Sequence, residues 1–406
     1  MRPRRLDFPV SLAAVWNRTM RSSTATLILW MRSDGDSEAE RMVSKARRAN
    51  VLDHVEKAIQ IEEIGRIIVV TDSQDMAGAL KDYPVILETE PELGSLPFGE
   101  KLLSVIEKHA VRTLLYLGGG SGVFMDREAT ARLVQAALAS PETFLVNNFY
   151  STDFAAFGGA LHLGDLRQCR QDNQVGWILG RKQGVRTRVL RSSLAARFDI
   201  DTPADLMILK AHPAGGRHLS EVVSKLPIDL SPLSRVMDVL VHRDGQAVVM
   251  GRIPPEAALS FDRESACHLR FYVEERGMEV RKGKKGIWSL VGLCLEKLGI
   301  PCFFQTLSTH AHAAIVDSRV LFYHLGLSPS RQDRFFSDLL KPEEITNPSV
   351  RLFTEAARQS PIPFILGGHT LVSGGLYALA ESAWNRVENP LKREVEEFQN
   401  GTWEEG

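Results

Sequence analysis

Hydrophobic residues in the first half of the chain fall into short continuous runs, with helically spaced apolar positions between them. Thr26-Leu27-Ile28-Leu29-Trp30-Met31 reads as a strand buried on both faces, and Arg66-Ile67-Ile68-Val69-Val70-Thr71-Asp72 as a second. Between them Val51, Leu52, Val55, Ile59 and Ile64 recur near helical spacing and predict a helix over Ser44 to Ile64. Pro84 to Leu87 predicts a third strand, Gly99 to His109 a helix, Val111 to Leu117 a fourth strand, and Asp126 to Leu138 a helix, with the apolar run Phe144-Leu145-Val146 leading to Asn147. Alternating strands and helices imply a mostly parallel sheet that takes its ligand at the strands' carboxyl ends.

Lys210 to Arg217, Lys-Ala-His-Pro-Ala-Gly-Gly-Arg, breaks this pattern and marks a boundary. Beyond it Val236 to Val241 and Gln246 to Ile253 flank Arg243-Asp244-Gly245, which predicts a hairpin because Asp-Gly favours a type I′ turn. Cys267 to Glu274 reads as a strand and Leu376 to Val387 as a helix. The basic stretch around Gly277 to Gly286, with Arg276, Arg281, Lys282, Lys284 and Lys285, reads as a solvated loop, with contact to phosphates or RNA as the alternative. The expected fold class is α/β, a mostly parallel sheet with flanking helices, followed by a second α+β domain. The expected organisation is a basic arm over 1–23, an α/β domain over 24–212, a linker over 213–235, a second domain over 236–395 and a tail over 396–406.

At 406 residues the chain is long enough for two or three domains. Its formal net charge is −1 with acids and bases interleaved, so no nucleic-acid partner is expected. Cys169, Cys267, Cys294 and Cys302 form no C-x-x-C pair, which argues against a zinc ribbon or disulfide framework and for a reducing, cytoplasmic setting. No apolar run reaches the roughly 18 residues of a membrane span, so no membrane partner is expected. Arg2, Arg4, Arg5, Arg18 and Arg21 against Asp7 superficially resemble an organellar transit peptide, and a disordered arm has the same look.

The densest chemistry lies in Phe198-Asp199-Ile200-Asp201-Thr202-Pro203-Ala204-Asp205-Leu206. Alternation in an extended segment sends Asp199 and Asp201 to one side and Phe198 and Ile200 to the other. Thr202 can then cap a helix with Pro203 at its first position and Asp205 at its third. This segment resembles the Asp-x-Asp-Thr-Pro-x-Asp-Leu end of nucleotidyltransferases of the molybdenum-cofactor guanylyltransferase and phospholactate guanylyltransferase group, which have a glycosyltransferase-A-like fold. Val69-Val70-Thr71-Asp72, Phe98-Gly99-Glu100-Lys101-Leu102, Leu114 to Phe124 and Asn147-Asn148 follow in the same order, so the resemblance covers about residues 24 to 212.

The resemblance implies a nucleotide-binding sheet and transfer of a nucleoside monophosphate from a nucleoside triphosphate to a phosphorylated or hydroxylated small acceptor, with release of pyrophosphate. It implies Mg²⁺ on Asp199 and Asp201, hard oxygen donors suited to that ion. Arg41 and Lys45, one helical turn apart, are the candidate phosphate cations. Gly118, Gly119 and Gly120 are candidates for bringing backbone amides to a phosphate, and Asn147 and Asn148 for holding a base or ribose, or a turn.

Two departures stand out. The loop after the first strand has one glycine, Gly35, and four acids, Asp34, Asp36, Glu38 and Glu40, which repel phosphate and read as a charged helix start. Gly120 occupies the position of the group's principal metal-binding Asp, and glycine has no side chain to ligate with. These departures favour a rival reading, a catalytically impaired homologue serving as a nucleotide sensor or as a scaffold for a protein bound by the C-terminal half. A third reading seats a metal-dependent enzyme in the second domain, on His310, His312, Asp317 and His369.

Overall fold

A computed structural model describes residues 24–33, 35–182, 185–212, 214–274 and 288–387. The basic arm, the basic loop at 277–286 and the tail lie outside the described residues. The chain divides into two compact units. The first comprises Met1–Ser33, Arg47–Arg191 and Gly215–Leu219, and the second Asp34–Ala46, Ser192–Ala214 and Ser220–Gly406. The division therefore places the Asp-Thr-Pro segment with the second unit, whereas the sequence suggested a boundary at 212.

The first unit is a seven-stranded sheet interleaved with helices, in the chain order β1 (Ala25–Met31), α1 (Glu38–Ile59), β2 (Ile64–Thr71), α2 (Gln74–Leu80), β3 (Ile86–Thr89), α3 (Phe98–Lys108), β4 (Leu114–Gly118), α4 (Arg127–Ala139), β5 (Thr143–Val146), β6 (Phe154–Phe157), α5 (Val175–Gly180) and β7 (Arg186–Val189). The strand order is β3-β2-β1-β4-β6-β5-β7. Every neighbouring pair is parallel except those of β6, which runs antiparallel to β4 and β5. Ile28, Trp30, Ile68, Val70, Tyr116, Phe144 and Phe157 lie in one buried cluster with Leu102 and Leu166. Strands buried on both faces explain why they read as continuous apolar runs.

Helix α1 begins six residues before its predicted start. The reason is a capping box: the Ser37 hydroxyl accepts the Glu40 amide at 3.2 Å, and Glu40 Oε2 reaches back to the Ser37 amide at 3.1 Å and hydroxyl at 2.6 Å. Two of the acids that looked like a solvated run, Glu38 and Glu40, thus sit in the first turn, where the helix dipole favours them.

The second unit continues with α6 (Leu194–Arg197), α7 (Pro203–Ala211), α8 (Arg217–Ser224), α9 (Ser231–Leu240), β8 (Gln246–Gly251), α10 (Pro255–Glu264), β9 (His268–Val273), α11 (Leu290–Leu298), α12 (Ile300–Ser308), β10 (Ala313–Asp317), α13 (Ser318–His324), α14 (Arg331–Asp338), α15 (Pro348–Gln359), β11 (Phe364–Gly367) and α16 (Gly374–Asn385). The first turn of α8 falls in the first unit, and residues 38–46 of α1 fall in the second. Its sheet has the order β11-β10-β8-β9 with every pair parallel. The predicted hairpin at Arg243-Asp244-Gly245 is therefore absent. Leu233, Val236, Met237 and Leu240 are buried at helical spacing behind Pro232 in the first turn, so the segment before the Asp-Gly turn is helix α9, and the turn leads from it into β8.

Candidate functional site

In the first unit the carboxyl ends of the parallel strands bring Arg32 and Ser33, Asp72, Glu90, Gly118 and Asn147 to one edge, where α/β sheets bind ligands. Glu90 is buried there between two cations: Arg32 Nε lies 3.2 Å from Oε2, and Lys101 Nζ 2.9 Å from Oε1. The Arg32 side chain is 68% exposed, against 5% for Glu90. Ser33 fastens to Asp72 Oδ1 through its amide at 2.8 Å and its hydroxyl at 3.0 Å. The Phe98-Gly99-Glu100-Lys101 landmark serves this edge. Phe98 packs edge-on against Trp30 and Tyr116, with centroids 5.1 and 5.7 Å apart, and Lys101 follows one turn later. Gly99 is required because a Cβ there would stand 1.7 Å from the Leu166 carbonyl oxygen. Arg32 was not among the candidates, although it is the cation directly after the first strand.

Gly118, Gly119 and Gly120 lie at the end of β4, and their loop is closed by its own fold. The Gly118 amide donates to the Asp153 carbonyl at 2.9 Å, the Gly119 amide to Trp30 at 2.8 Å, and the Ser121 amide to Gly118 at 3.1 Å. One face of α1 binds the loop's carbonyls. Asn50 Nδ2 donates to Gly119 O at 3.0 Å and Ser121 O at 2.9 Å, His54 Nε2 lies 2.9 Å from Ser121 O, and Lys57 Nζ donates to Met125 O. Burial, and then the charge of Lys57, depress His54 from 6.5 to about 3, so its ring is neutral and Nε2 carries the donated hydrogen. Asp126 caps α4 through the Ala129 amide at 2.6 Å, placing a carboxylate where an anion would otherwise bind.

Asn147 and Asn148 are both turn residues here. Asn147 Nδ2 donates to Asp153 Oδ2 at 2.7 Å, and its Oδ1 accepts the Asp153 amide at 3.0 Å. Asn148 Oδ1 accepts the Tyr150 amide at 3.2 Å.

Arg41, Lys45, Asp199 and Asp201 belong to the second unit, so the candidate set is divided between the two units. Arg41 and Lys45 are exposed on α1, and Arg41 donates to the Asp36 carbonyl. The expected alternation is present in the Asp-Thr-Pro segment: Phe198 and Ile200 are buried, Asp199 is half-buried and Asp201 exposed. Asp205 Oδ2 accepts the Asp201 amide at 2.9 Å, the Thr202 amide at 2.7 Å and the Thr202 hydroxyl at 3.0 Å. Its burial, with the nearby charge of Asp201, pushes its carboxyl up to about 8.

The second sheet has a charged carboxyl edge of its own. Arg252 pairs with Asp317 through Nε–Oδ2 at 2.7 Å and Nη2–Oδ1 at 3.1 Å, and Arg319 grips Asp338 through two bonds of 2.6 Å. Burial opposes ionisation of Asp317, but Arg252, His369 and Arg319 more than offset it and hold the carboxyl below its usual range. Gly251, at φ +133°, makes room for this pair, since a Cβ there would lie 2.3 Å from that of Asp317. His310 and His312 stand at the opposite end of β10, about 16 Å away along the strand, and His312 Nδ1 accepts the Gln246 amide at 3.2 Å. The proposed constellation of His310, His312, Asp317 and His369 is thus not one site.

Among the described residues, Asp53, Glu56 and His218 of the first unit offer ligand atoms within 4.8 Å of one another, a donor set a divalent cation accepts. Their hydrogen bonds give the group another role. The two Asp53 oxygens accept the His218 and Leu219 amides at 2.9 Å each and cap α8, while Glu56 Oε1 receives Tyr83 at 2.8 Å, His218 at 3.0 Å and Arg217 at 3.2 Å. Arg217 supplies counter-charge at the cluster.

No protein-family model matches the chain, and no curated protein matches its sequence. Solved structures do resemble it in part. A protein described as a nucleotide-diphospho-sugar transferase, from Desulfovibrio desulfuricans, is 11% identical with a TM-score of 0.37, covering 50% of this chain and 94% of that one. A cytidylyltransferase from Leptospira borgpetersenii is 17% identical with a TM-score of 0.35, covering 47% of this chain and 86% of that one. A 4-diphosphocytidyl-2C-methyl-D-erythritol synthase from Anaerococcus prevotii is 12% identical with a TM-score of 0.30, covering 41% and 87%.

Proposed function

We propose that this is a nucleotidyltransferase-like protein whose first unit binds a nucleoside triphosphate at the carboxyl edge of its sheet without transferring it, serving as a nucleotide sensor or scaffold. The observation that carries the reading is the group Arg32–Glu90–Lys101: two cations share one buried carboxylate at the ligand-binding edge, and one of them, Arg32, is exposed there. Arg32 is exposed enough to turn from Glu90 to a phosphate. Gly120 offers no carboxylate, and the amides of Gly118, Gly119 and Ser121 are already donated within the protein, so these three are not donors to a phosphate. Calorimetric titration with ATP, GTP, CTP and UTP in Mg²⁺ tests this. Binding weakened roughly 10- to 100-fold by Arg32→Met, the worth of one charge-assisted hydrogen bond, is expected, and no binding of any of the four overturns it.

The transferase reading retains one specific support. Asp201 is exposed beside Asp199 on the acidic side of an extended segment, and these two carboxylates are the residues that would hold Mg²⁺, which would bring charge neutralisation to a departing pyrophosphate.

A further inference from the structure

The loop after β5 carries side chains that phosphate binding leaves unused. The Phe149 and Tyr150 rings stand nearly perpendicular, 5.2 Å apart between centroids, and both meet Trp177 of α5 at 5.5 Å, Tyr150 inclined to it by 32°. The Arg181 guanidinium carbon lies 4.3 Å from the centre of the Trp177 ring, within cation–π range.

This shelf is held by close backbone approach. The Thr152 hydroxyl donates to the Asn148 carbonyl at 2.9 Å and accepts the Gly176 amide at 2.8 Å. A Cβ on Gly176 would stand 2.4 Å from the Thr152 hydroxyl oxygen, and one on Gly180 2.5 Å from the Phe149 ring. With the Asn147–Asp153 bonds, these contacts fix the backbone on both sides of Tyr150. The Tyr150 residue nevertheless remains 52% exposed. A large apolar ring held in place yet left in water presents a ready-made surface whose ordering cost is already met before a ligand arrives. Cations accompany it: Arg181 is exposed, and exposed Arg191 emerges at the same strand edge, because the preceding Leu190 amide donates to the Val146 carbonyl at 2.9 Å.

We propose that Tyr150, Trp177 and Arg181 form a subsite that stacks the planar heteroaromatic ring of a phosphorylated ligand, with Arg181 and Arg191 toward its phosphate. The inference rests on the nucleotide-binding reading for its placement at the carboxyl edge, but the shelf's chemistry accepts two sources of ring: the base of the nucleotide itself, or the ring of a phosphorylated acceptor. Stacking tolerates any π face and grows with ring area, so purines exceed pyrimidines, and tripolyphosphate, which has no ring, gains nothing from the shelf.

The test is titration of the full chain and of Tyr150→Ala with ATP, CTP, tripolyphosphate and flavin mononucleotide, following tryptophan fluorescence and its loss in Trp177→Phe. Truncating the half-exposed Tyr150 leaves the core intact, and an unchanged thermal midpoint checks this. Weakening of ATP by about 5- to 150-fold in Tyr150→Ala, with a smaller loss for CTP, none for tripolyphosphate and a quench that requires Trp177, supports the shelf as a base site. The same loss confined to flavin mononucleotide supports an acceptor-ring site. Undiminished binding of both rings in Tyr150→Ala overturns the shelf while leaving nucleotide binding intact. Failure of the native chain to bind ATP and CTP while flavin mononucleotide still depends on Tyr150 removes the nucleotide reading and keeps the shelf, and failure to bind any ring removes both.

Discussion

Replacing His54 with Gln should flatten the acid sensitivity of the first unit. His54 is 3% exposed and bridges α1 to Ser121 of the glycine loop as a neutral donor. Unfolded, it takes up a proton at its ordinary 6.5, whereas folded it resists protonation down to about 3. Because the folded value is the lower one, acid favours the unfolded chain: the penalty is nearly absent at pH 7, sets in below 6.5, and grows until the pH reaches the folded value. Between pH 7 and pH 5 this one ring should remove about 2 kcal/mol of stability, at about 1.4 kcal/mol for each unit of unequal protonation. Gln keeps an N–H donor for the Ser121 carbonyl and does not titrate. Urea unfolding at pH 7 and pH 5 should therefore show the native chain losing about 2 kcal/mol more than His54→Gln. Equal losses in the two proteins would refute a buried neutral imidazole as the latch of this loop.

Asp205 should titrate with the opposite sense. Its folded value, raised by burial to about 8, exceeds the ordinary 3.8, so its contribution is full below 3.8 and is lost as pH rises toward 8; Asp205→Asn should gain thermal midpoint relative to the native chain between pH 5 and pH 8, and a constant difference over that interval contradicts this. In the second unit, Arg319 and Asp338 are both under a tenth exposed, so Asp338→Ala, which strands a buried guanidinium, should cost about 3–5 kcal/mol. The double replacement Arg319→Met/Asp338→Leu should recover most of that loss in chemical denaturation, and a double variant as unstable as the single one counts against the pair's burial as the cause.

The first sheet was legible because its strands are buried on both faces, so Thr26 to Met31 and Arg66 to Thr71 announce themselves as apolar runs. The Asp199–Asp205 turn was legible too, since alternation and helix capping are local effects. What escaped depends on tertiary partners. Glu40 looked like a solvated acid because its role is to bond back to Ser37, and α9 looked like a strand because Val236 to Val241 is rich in β-branched residues while its buried face repeats at helical spacing. The use of Asn50, His54 and Lys57 against the glycine loop could not be read from the loop itself, as those donors lie some 70 residues earlier in the chain. Asn147 and Asn148 read either as a base or ribose contact or as a turn, and the choice rested on bonds to Asp153 and Tyr150 that the sequence does not display.

Binding without transfer is decided by whether pyrophosphate is released. The full chain, an Asp199→Ala/Asp201→Ala variant and an Arg32→Met variant would each be incubated with the four nucleoside triphosphates, Mg²⁺ and small phosphorylated acceptors, with nucleotide binding measured in parallel. Binding should fall in Arg32→Met, and none of the three proteins should release pyrophosphate above background. Pyrophosphate released by the native chain and abolished by the double Asp replacement would contradict this and establish a working transferase despite Gly120.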